Sequence, residues 1–234
     1  SSKDGSCTAH KNRSPQLNND MRKVHATIKT RQSKVFTGLA FGWPLILAVW
    51  GGAAAQAATF IKADNTVDLN LAASWTNNAA PGSADIAAFD GTFSAPNNTA
   101  NLGTNMTWYG ITLSNNLNSS FTIGATGTNA LTIAGGGFTG GGINLTNANQ
   151  DLTINAPVLL VNQQFWDFNS GRTLTFNGDV RTVSSAPGAG SASRGLGSVN
   201  GGGIATINFN GNFTDTNAEF GPFQNYNYVI NINP

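Results

Sequence analysis

The feature that most constrains the fold is a spacing. Apolar-polar-apolar triplets start at Ile111 (ITL), Leu131 (LTI), Leu152 (LTI) and Leu174 (LTF), at intervals of 20, 21 and 22. A second series starts at Phe121 (FTI), Ile143 (INL) and Phe165 (FWD), at intervals of 22. Two interleaved series with one period describe a unit of about 22 residues that carries at least two short strands. The match extends to single residues, because LTINAPV from Leu152 aligns without gaps on LTFNGDV from Leu174 and on INFNGNF from Ile207.

A three-residue strand with two inward side chains cannot bury itself alone, so neighbouring units must stack to close a core. A parallel β-helix with about 20–22 residues per coil does this, with successive coils about 4.8 Å apart and equivalent residues in ladders along the axis. On this reading Leu131, Leu152, Leu174 and Ile207 form one interior column, and Ile133, Ile154, Phe176 and Phe209 the next. Thr153, Thr175 and Asn208 then point outward. Asn155, Asn177 and Asn210 take the corner after the strand, where asparagine tolerates left-handed backbone and one amide can stack on the next. The interval from Leu174 to Ile207 is 33, one coil plus eleven, and the surplus is expected as a loop over the Gly/Ser/Ala-rich residues 184–203. An antiparallel sandwich or barrel also suits strands at half the period, but hairpins do not account for a residue-level match one coil apart.

Composition agrees with an all-β class. From Ala58 to Pro234 there are 28 Asn, 23 Gly, 21 Thr and 12 Ser, together nearly half of that stretch, and no apolar stripe of helical period is present. The twelve Phe, three Tyr and three Trp of this part supply a core, which sets it apart from a disordered polar chain.

The same part holds four basic residues (Lys62, Arg172, Arg181, Arg194) against nine acidic ones, a net charge of −5. It has no clustered Lys and Arg, so a nucleic-acid partner is not expected. Cys7, His10 and His25 all lie upstream of Ala58, which leaves the rest without a thiol or an imidazole. Disulfides, Cys/His zinc sites, Ser-His or Cys nucleophiles and His acid-base chemistry are thereby excluded from it. No metal and no cofactor is expected.

Upstream, Met21 opens a segment with Arg22, Lys23, Lys29, Arg31 and Lys34, then the apolar run Val35 to Trp50, then small residues ending in Ala55-Gln56-Ala57. These are the parts of a secretory signal peptide over residues 21–57, with Ala55 and Ala57 fitting the peptidase pocket and cleavage after Ala57 or Ala58. A membrane anchor is the rival, but the apolar run, interrupted by Gly42 and Pro44, is short of the roughly 20 apolar residues of a span. Residues 1–20 are read as an upstream segment outside the fold, and 58–234 as the repeat domain, secreted or held at the cell surface.

WTNNAAPGSADIAAFDGT from Trp75, then TWYGITLSNN, FTIGATGTNALTIAGGG, INLTNANQDLTINAPVLL and GRTLTFNGDV, resembles the autotransporter-associated β-strand repeat proteins, exported repeat proteins of bacteria. The resemblance covers Leu71 to Phe213 and implies a right-handed β-helical passenger that serves as a stalk or adhesin-like surface protein. It also implies a C-terminal membrane barrel, for which the stretch from Asn212 to Pro234 is too short, so the domain is expected to be C-terminally incomplete or a free secreted member.

Local motifs add little chemistry. Gly135, Gly137 and Gly140 spell G-x-G-x-x-G, yet no helix pattern follows, and a glycine-rich corner fits better than a dinucleotide loop. Asp167, Arg172, Asp179 and Arg181 are the one cluster that could serve a polysaccharide lyase or hydrolase. The ladder places Asp179 level with Pro157 and Asn212, so no carboxylate column forms beside it, and the two arginines are expected as surface partners of Asp167 and Asp179. Trp166, with Asp167 and Arg172, is the candidate glycan contact, since Trp166 or one of its neighbours Phe165 and Phe168 must face out, although core packing of Trp166 is the favoured reading. The expectation is a non-enzymatic, adhesin-like exported scaffold whose partners are extracellular polysaccharide or a host or neighbouring cell surface; a polysaccharide-binding or polysaccharide-degrading β-helix is the alternative.

Overall fold

The structure, a computed structural model, describes residues 56–91, 93–135, 141–162, 164–183, 194–216, 220–222 and 227–233. All of them fall in one compact unit, Ala53–Pro234. Residues 1–55, which include most of the leader, and Gly137 and Gly140 of the glycine motif lie outside the described residues.

After β1 (Thr59–Ile61) and a 3-10 turn at Ala72–Ser74, the chain winds through successive coils of three short strands. The first coil is β2 (Ile86–Phe89), β3 (Thr99–Asn101) and β4 (Met106–Trp108), and the second is β5 (Gly110–Leu113), β6 (Phe121–Gly124) and β7 (Leu131–Ile133). The third is β8 (Gly142–Leu145), β9 (Leu152–Ile154) and β10 (Val158–Val161); the fourth is β11 (Gln164–Asn169), β12 (Thr173–Phe176) and β13 (Val180–Val183). Next come β14 (Arg194–Asn200), β15 (Ala205–Phe209) and β16 (Phe213–Thr216), then β17 (Phe220–Pro222) and β18 (Tyr228–Ile232). Each strand from β2 onward pairs in parallel with the strand three elements later, and β1 pairs with β2, which generates three sheets: β1-β2-β5-β8-β11-β14-β17, β3-β6-β9-β12-β15-β18 and β4-β7-β10-β13-β16. This is a parallel β-helix, and its wholly parallel strand pairing excludes a sandwich of hairpins.

Alternation along each strand decides what enters the core. In the second sheet Phe121, Leu152, Leu174 and Ile207 lie in register and are fully buried, as are Ile123, Ile154 and Phe176 beside them, with Phe209 at 1 % exposure. Phe176 and Phe209 stack at 5.3 Å with their planes 6° apart. Leu131 and Ile133 do not belong to these columns. They sit in the third sheet, where Leu131 is level with Met106 and Val158, and Ile133 with Trp108 and Leu160. The second series divides as well: Phe121 is in the second sheet, while Ile143 in the first sheet is level with Trp166 rather than Phe165.

The reason is coil length. Only the step from Leu152 to Leu174, matched by Val158 to Val180, keeps the period of 22; Phe121 to Leu152 is 31 and Leu174 to Ile207 is 33. A ruler of that period laid back from Leu152 therefore lands in the wrong sheet. The extra length fills corners, because such insertions cost little once the strands on either side are paired. Of the stretch 184–203 read as a loop, Arg194–Asn200 is strand β14, and 184–193 lie outside the described residues.

The N-terminal end is closed by the chain itself. Leu69 and Asn70 donate their N–H groups to the carbonyls of Asn101 and Leu102 at 2.7 and 3.1 Å, covering the edge of β3. Trp75 is buried, donates Nε1–H to the Leu69 carbonyl at 2.8 Å, and meets Trp108 edge-on at 6.0 Å. Leu152→Asp places a carboxylate in the closed column with no polar partner, and is expected to cost more than about 4 kcal/mol; loss of the far-UV β signal or of a cooperative melt is the readout, and an unchanged melt overturns the register.

Candidate functional site

The outward faces carry the polar side chains, and these are spent largely on one another. On the second sheet Thr122, Thr153, Thr175, Asn208 and Asn231 stand level from coil to coil. Asn231 Nδ2 donates to Asn208 Oδ1 at 2.8 Å, and Asn208 Nδ2 to Thr175 Oγ1 at 3.3 Å. At the corner that follows, Asn177 Nδ2 donates to Asn155 Oδ1 at 2.7 Å, Asn210 to Asn177 at 2.8 Å, and Asn233 to Asn210 at 3.2 Å. The stacked-amide ladder is thus present and runs one rung beyond the three asparagines that the repeat picked out. Its rungs do not use left-handed backbone; among described residues other than glycine, positive φ occurs at Asn78 and Asn162, the latter at the corner between β10 and β11. The glycines after two rungs serve close approach instead. A Cβ on Gly178 would lie 2.4 Å from the Ala156 carbonyl oxygen, and one on Gly211 would lie 2.6 Å from the Gly178 backbone.

The four residues of the candidate catalytic cluster are not brought together. Asp167 lies on β11 of the first sheet and Arg181 on β13 of the third, while Arg172 and Asp179 flank β12. Arg172 pairs with Asp151 at 3.6 Å and donates Nη1–H to the Asn149 carbonyl at 2.6 Å, so its carboxylate partner is Asp151 and not Asp167. Asp179 Oδ1 accepts from the backbone N–H and Nδ2 of Asn212 at 2.9 and 3.1 Å, the axial neighbour that the ladder placed level with it. Trp166 is no exposed platform: it is 1 % exposed and packs 5.6 Å from Phe176. The residues of β11 that alternate outward are Phe165 and Asp167, both half-buried. Among the described residues no three His, Cys, Asp or Glu side chains gather as metal ligands, and no helix is long and apolar enough to cross a membrane.

Of the cleavage residues, Ala55 lies outside the described residues, and Ala57 and Ala58 run directly into β1. The Ala58 carbonyl already accepts the Ile86 N–H at 2.7 Å.

One ionisable group was missed by the sequence reading. Lys62, the single lysine after the leader, is fully buried in the N-terminal cap, and its Nζ donates to the carbonyls of Ala63 and Asn65 at 2.8 and 2.7 Å and to Asn65 Oδ1 at 2.9 Å. Burial pushes its pKa down to about 8, against the opposing pull of the Asp64 charge. Asp64 is held below the usual carboxylate range by hydrogen bonds from Asn97 and Ser94, which tie the cap to the loop before β3. A lone lysine directly after the first apolar strand was the available signal, but a charge beside a short strand reads equally as solvated.

No protein-family model, curated protein or solved structure matches this chain.

Two outcomes test this surface. Asn177→Ala removes one donor and one acceptor from a solvent-facing rung, and is expected to cost about 1 kcal/mol while the fold persists; chemical denaturation compares it with the parent. For Lys62, the folded pKa of about 8 lies below the ordinary 10.5, so between these values the unfolded chain holds more protons. Stability conferred by the cap is therefore expected to rise with pH across that window, and Lys62→Met should abolish the rise in melts taken at each pH.

Proposed function

We propose that this chain is an exported, non-enzymatic scaffold of the adhesin-like or matrix-forming kind, built like an autotransporter-associated β-strand repeat passenger and displayed at or released from the cell surface. The observation that carries this reading is the axial ladder Asn155–Asn177–Asn210–Asn233, which directs lateral polar groups into cohesion along the rod. Such a surface suits extension and repeated weak contact with extracellular polysaccharide or a neighbouring cell, because hydroxyl and amide side chains recur from coil to coil on the second sheet and weak contacts multiply along it. The scattering of Asp167, Arg172, Asp179 and Arg181 over different sheets and corners favours this over a polysaccharide-degrading enzyme.

Export supplies the first test. Cleavage after Ala57 leaves the Ala58 carbonyl bonded to Ile86, whereas cleavage after Ala58 removes that bond. Material recovered outside expressing cells is expected to begin at Ala58 by N-terminal sequencing; a chain that keeps its leader overturns the reading. The second test incubates the recovered protein with neutral and acidic polysaccharides. No new reducing ends or unsaturated products are expected, and their appearance, abolished by Asp179→Ala, would replace the scaffold reading with an enzymatic one.

A further inference from the structure

Three Asn-Gly pairs occur in the chain, Asn177-Gly178, Asn200-Gly201 and Asn210-Gly211. Asn-Gly is the dipeptide most open to spontaneous deamidation, because glycine puts no side chain in the way of ring closure and its backbone turns freely. The peptide nitrogen of the glycine, on losing its proton, attacks the asparagine Cγ; a new N–C bond forms, the Cγ–Nδ2 bond breaks, and ammonia leaves with a proton from water. Water then opens the cyclic imide at either carbonyl, giving aspartate or isoaspartate. In sequence the three pairs are equivalent. The fold makes them unequal.

Asn177 and Asn210 are ladder rungs. Each carboxamide donates to the coil before and accepts from the coil after, at 2.7 to 3.2 Å. Cγ can swing over its own following peptide only if both bonds break. The glycines are also closely packed, with the backbone of Gly178 against Ala156 and Pro157 and that of Gly211 against Gly178 and Asp179. Asn200 is placed differently. All three asparagines are exposed, but Asn200 ends β14 and its carboxamide donates only one long bond, 3.4 Å, to the Thr146 carbonyl. Its glycine opens a turn with φ +81° at Gly201 and +67° at Gly202; a Cβ on Gly201 would come no closer than 3.4 Å to its nearest neighbour, the Ser170 Cβ, and one on Gly202 would meet nothing within 4 Å.

We infer that Asn200 is a site of non-enzymatic deamidation in the folded protein, and that the ladder protects Asn177 and Asn210 from the same reaction. The product replaces the Nδ2 donor by a carboxylate, so the tie from the β14 end to Thr146 is lost and two oxygens face each other there. Isoaspartate, in addition, lengthens the backbone at a strand end whose carbonyl accepts the Ser170 N–H at 3.0 Å. A negative charge thus enters a corner of the rod while the ladder stays neutral.

The experiment incubates the purified full chain in mildly alkaline buffer and follows the deamidation of each Asn-Gly peptide by digestion and mass spectrometry. Asn200 is expected to convert at least about tenfold faster than Asn177 or Asn210, the margin set by two net hydrogen bonds. In urea, with the ladder gone, the three rates should converge. Asn155→Ala, which removes the acceptor of Asn177, should raise the Asn177 rate severalfold and leave Asn200 unchanged, with circular dichroism reporting that the fold persists. Equal rates in the folded chain, an intact Asn200, or a gap that survives in urea would each overturn the assignment.

Discussion

Everything in this molecule depends on the inability of a three- or four-residue strand to bury its own apolar face. Leu152 and Ile154 on β9 present two inward side chains, and they become buried only because β6 and β12 lie level on either side with Phe121, Ile123, Leu174 and Phe176. The core is a set of columns, each completed by the next coil, and the hydrophobic gain is collected coil by coil. This explains why closure of the end matters: ahead of the first coil, among the described residues, β1 pairs with β2 on the first sheet alone, and Trp75, Leu69 and the buried Lys62 supply further contacts from a non-repeating segment. The cap accepts a desolvated ammonium, and three oxygens are placed around it to offset that cost.

The polar half of the alternation obeys the same stacking. Once parallel pairing sets equivalent residues about 4.8 Å apart, an asparagine amide is at the right distance to donate to the amide of the preceding coil. Asn155, Asn177, Asn210 and Asn233 exploit this at a corner, and Thr175, Asn208 and Asn231 do so on the face. Threonine at the outward centre of a strand suits both the β-branched preference of the pleat and the geometry of a short hydroxyl. Each exposed bond is worth little alone, because water competes for it, but the ladder orders the side chains and so lowers the chemical freedom of each rung.

The solenoid itself was legible in the sequence, since a gapless match between 152–158, 174–180 and 207–213 has no explanation in hairpins. So were the inward set Leu152, Leu174 and Ile207 and the amide ladder. The assignment failed where coil length departs from the common period: Leu131 and Ile133 share the pattern of Leu152 and Ile154 but occupy the third sheet, because all three sheets demand the same apolar alternation and a triplet carries no mark of its sheet. Trp166 was ambiguous for a related reason. In FWDF either phase turns at least one aromatic side chain inward, and pairing with Ile143 settles that Trp166 and Phe168 enter while Phe165 and Asp167 face out. The partner of Arg172 could not be read because Asp151 lies one coil away at a corner, a relation that depends on knowing the coil length.

Insertions and the repeat are two sides of one mechanical fact. A corner can lengthen freely because the strands that flank it are fixed by their neighbours, so the long step from Leu174 to Ile207 leaves the register of Phe176 on Phe209 undisturbed. The corner between the second and third sheets is different. There Asn177-Gly178 and Asn210-Gly211 stack backbone on backbone, and from the third coil on the connection keeps one length: Leu152 to Val158, Leu174 to Val180 and Ile207 to Phe213 are each six residues apart, whereas Phe121 to Leu131 one coil earlier takes ten. Where the asparagine ladder runs, that corner is therefore the constant edge of the rod. The other corners absorb length and, with it, any feature that distinguishes one coil from the next, so chemistry that varies along this molecule belongs at the variable corners, where Asn200 and its glycine turn lie, and not on the laddered edge.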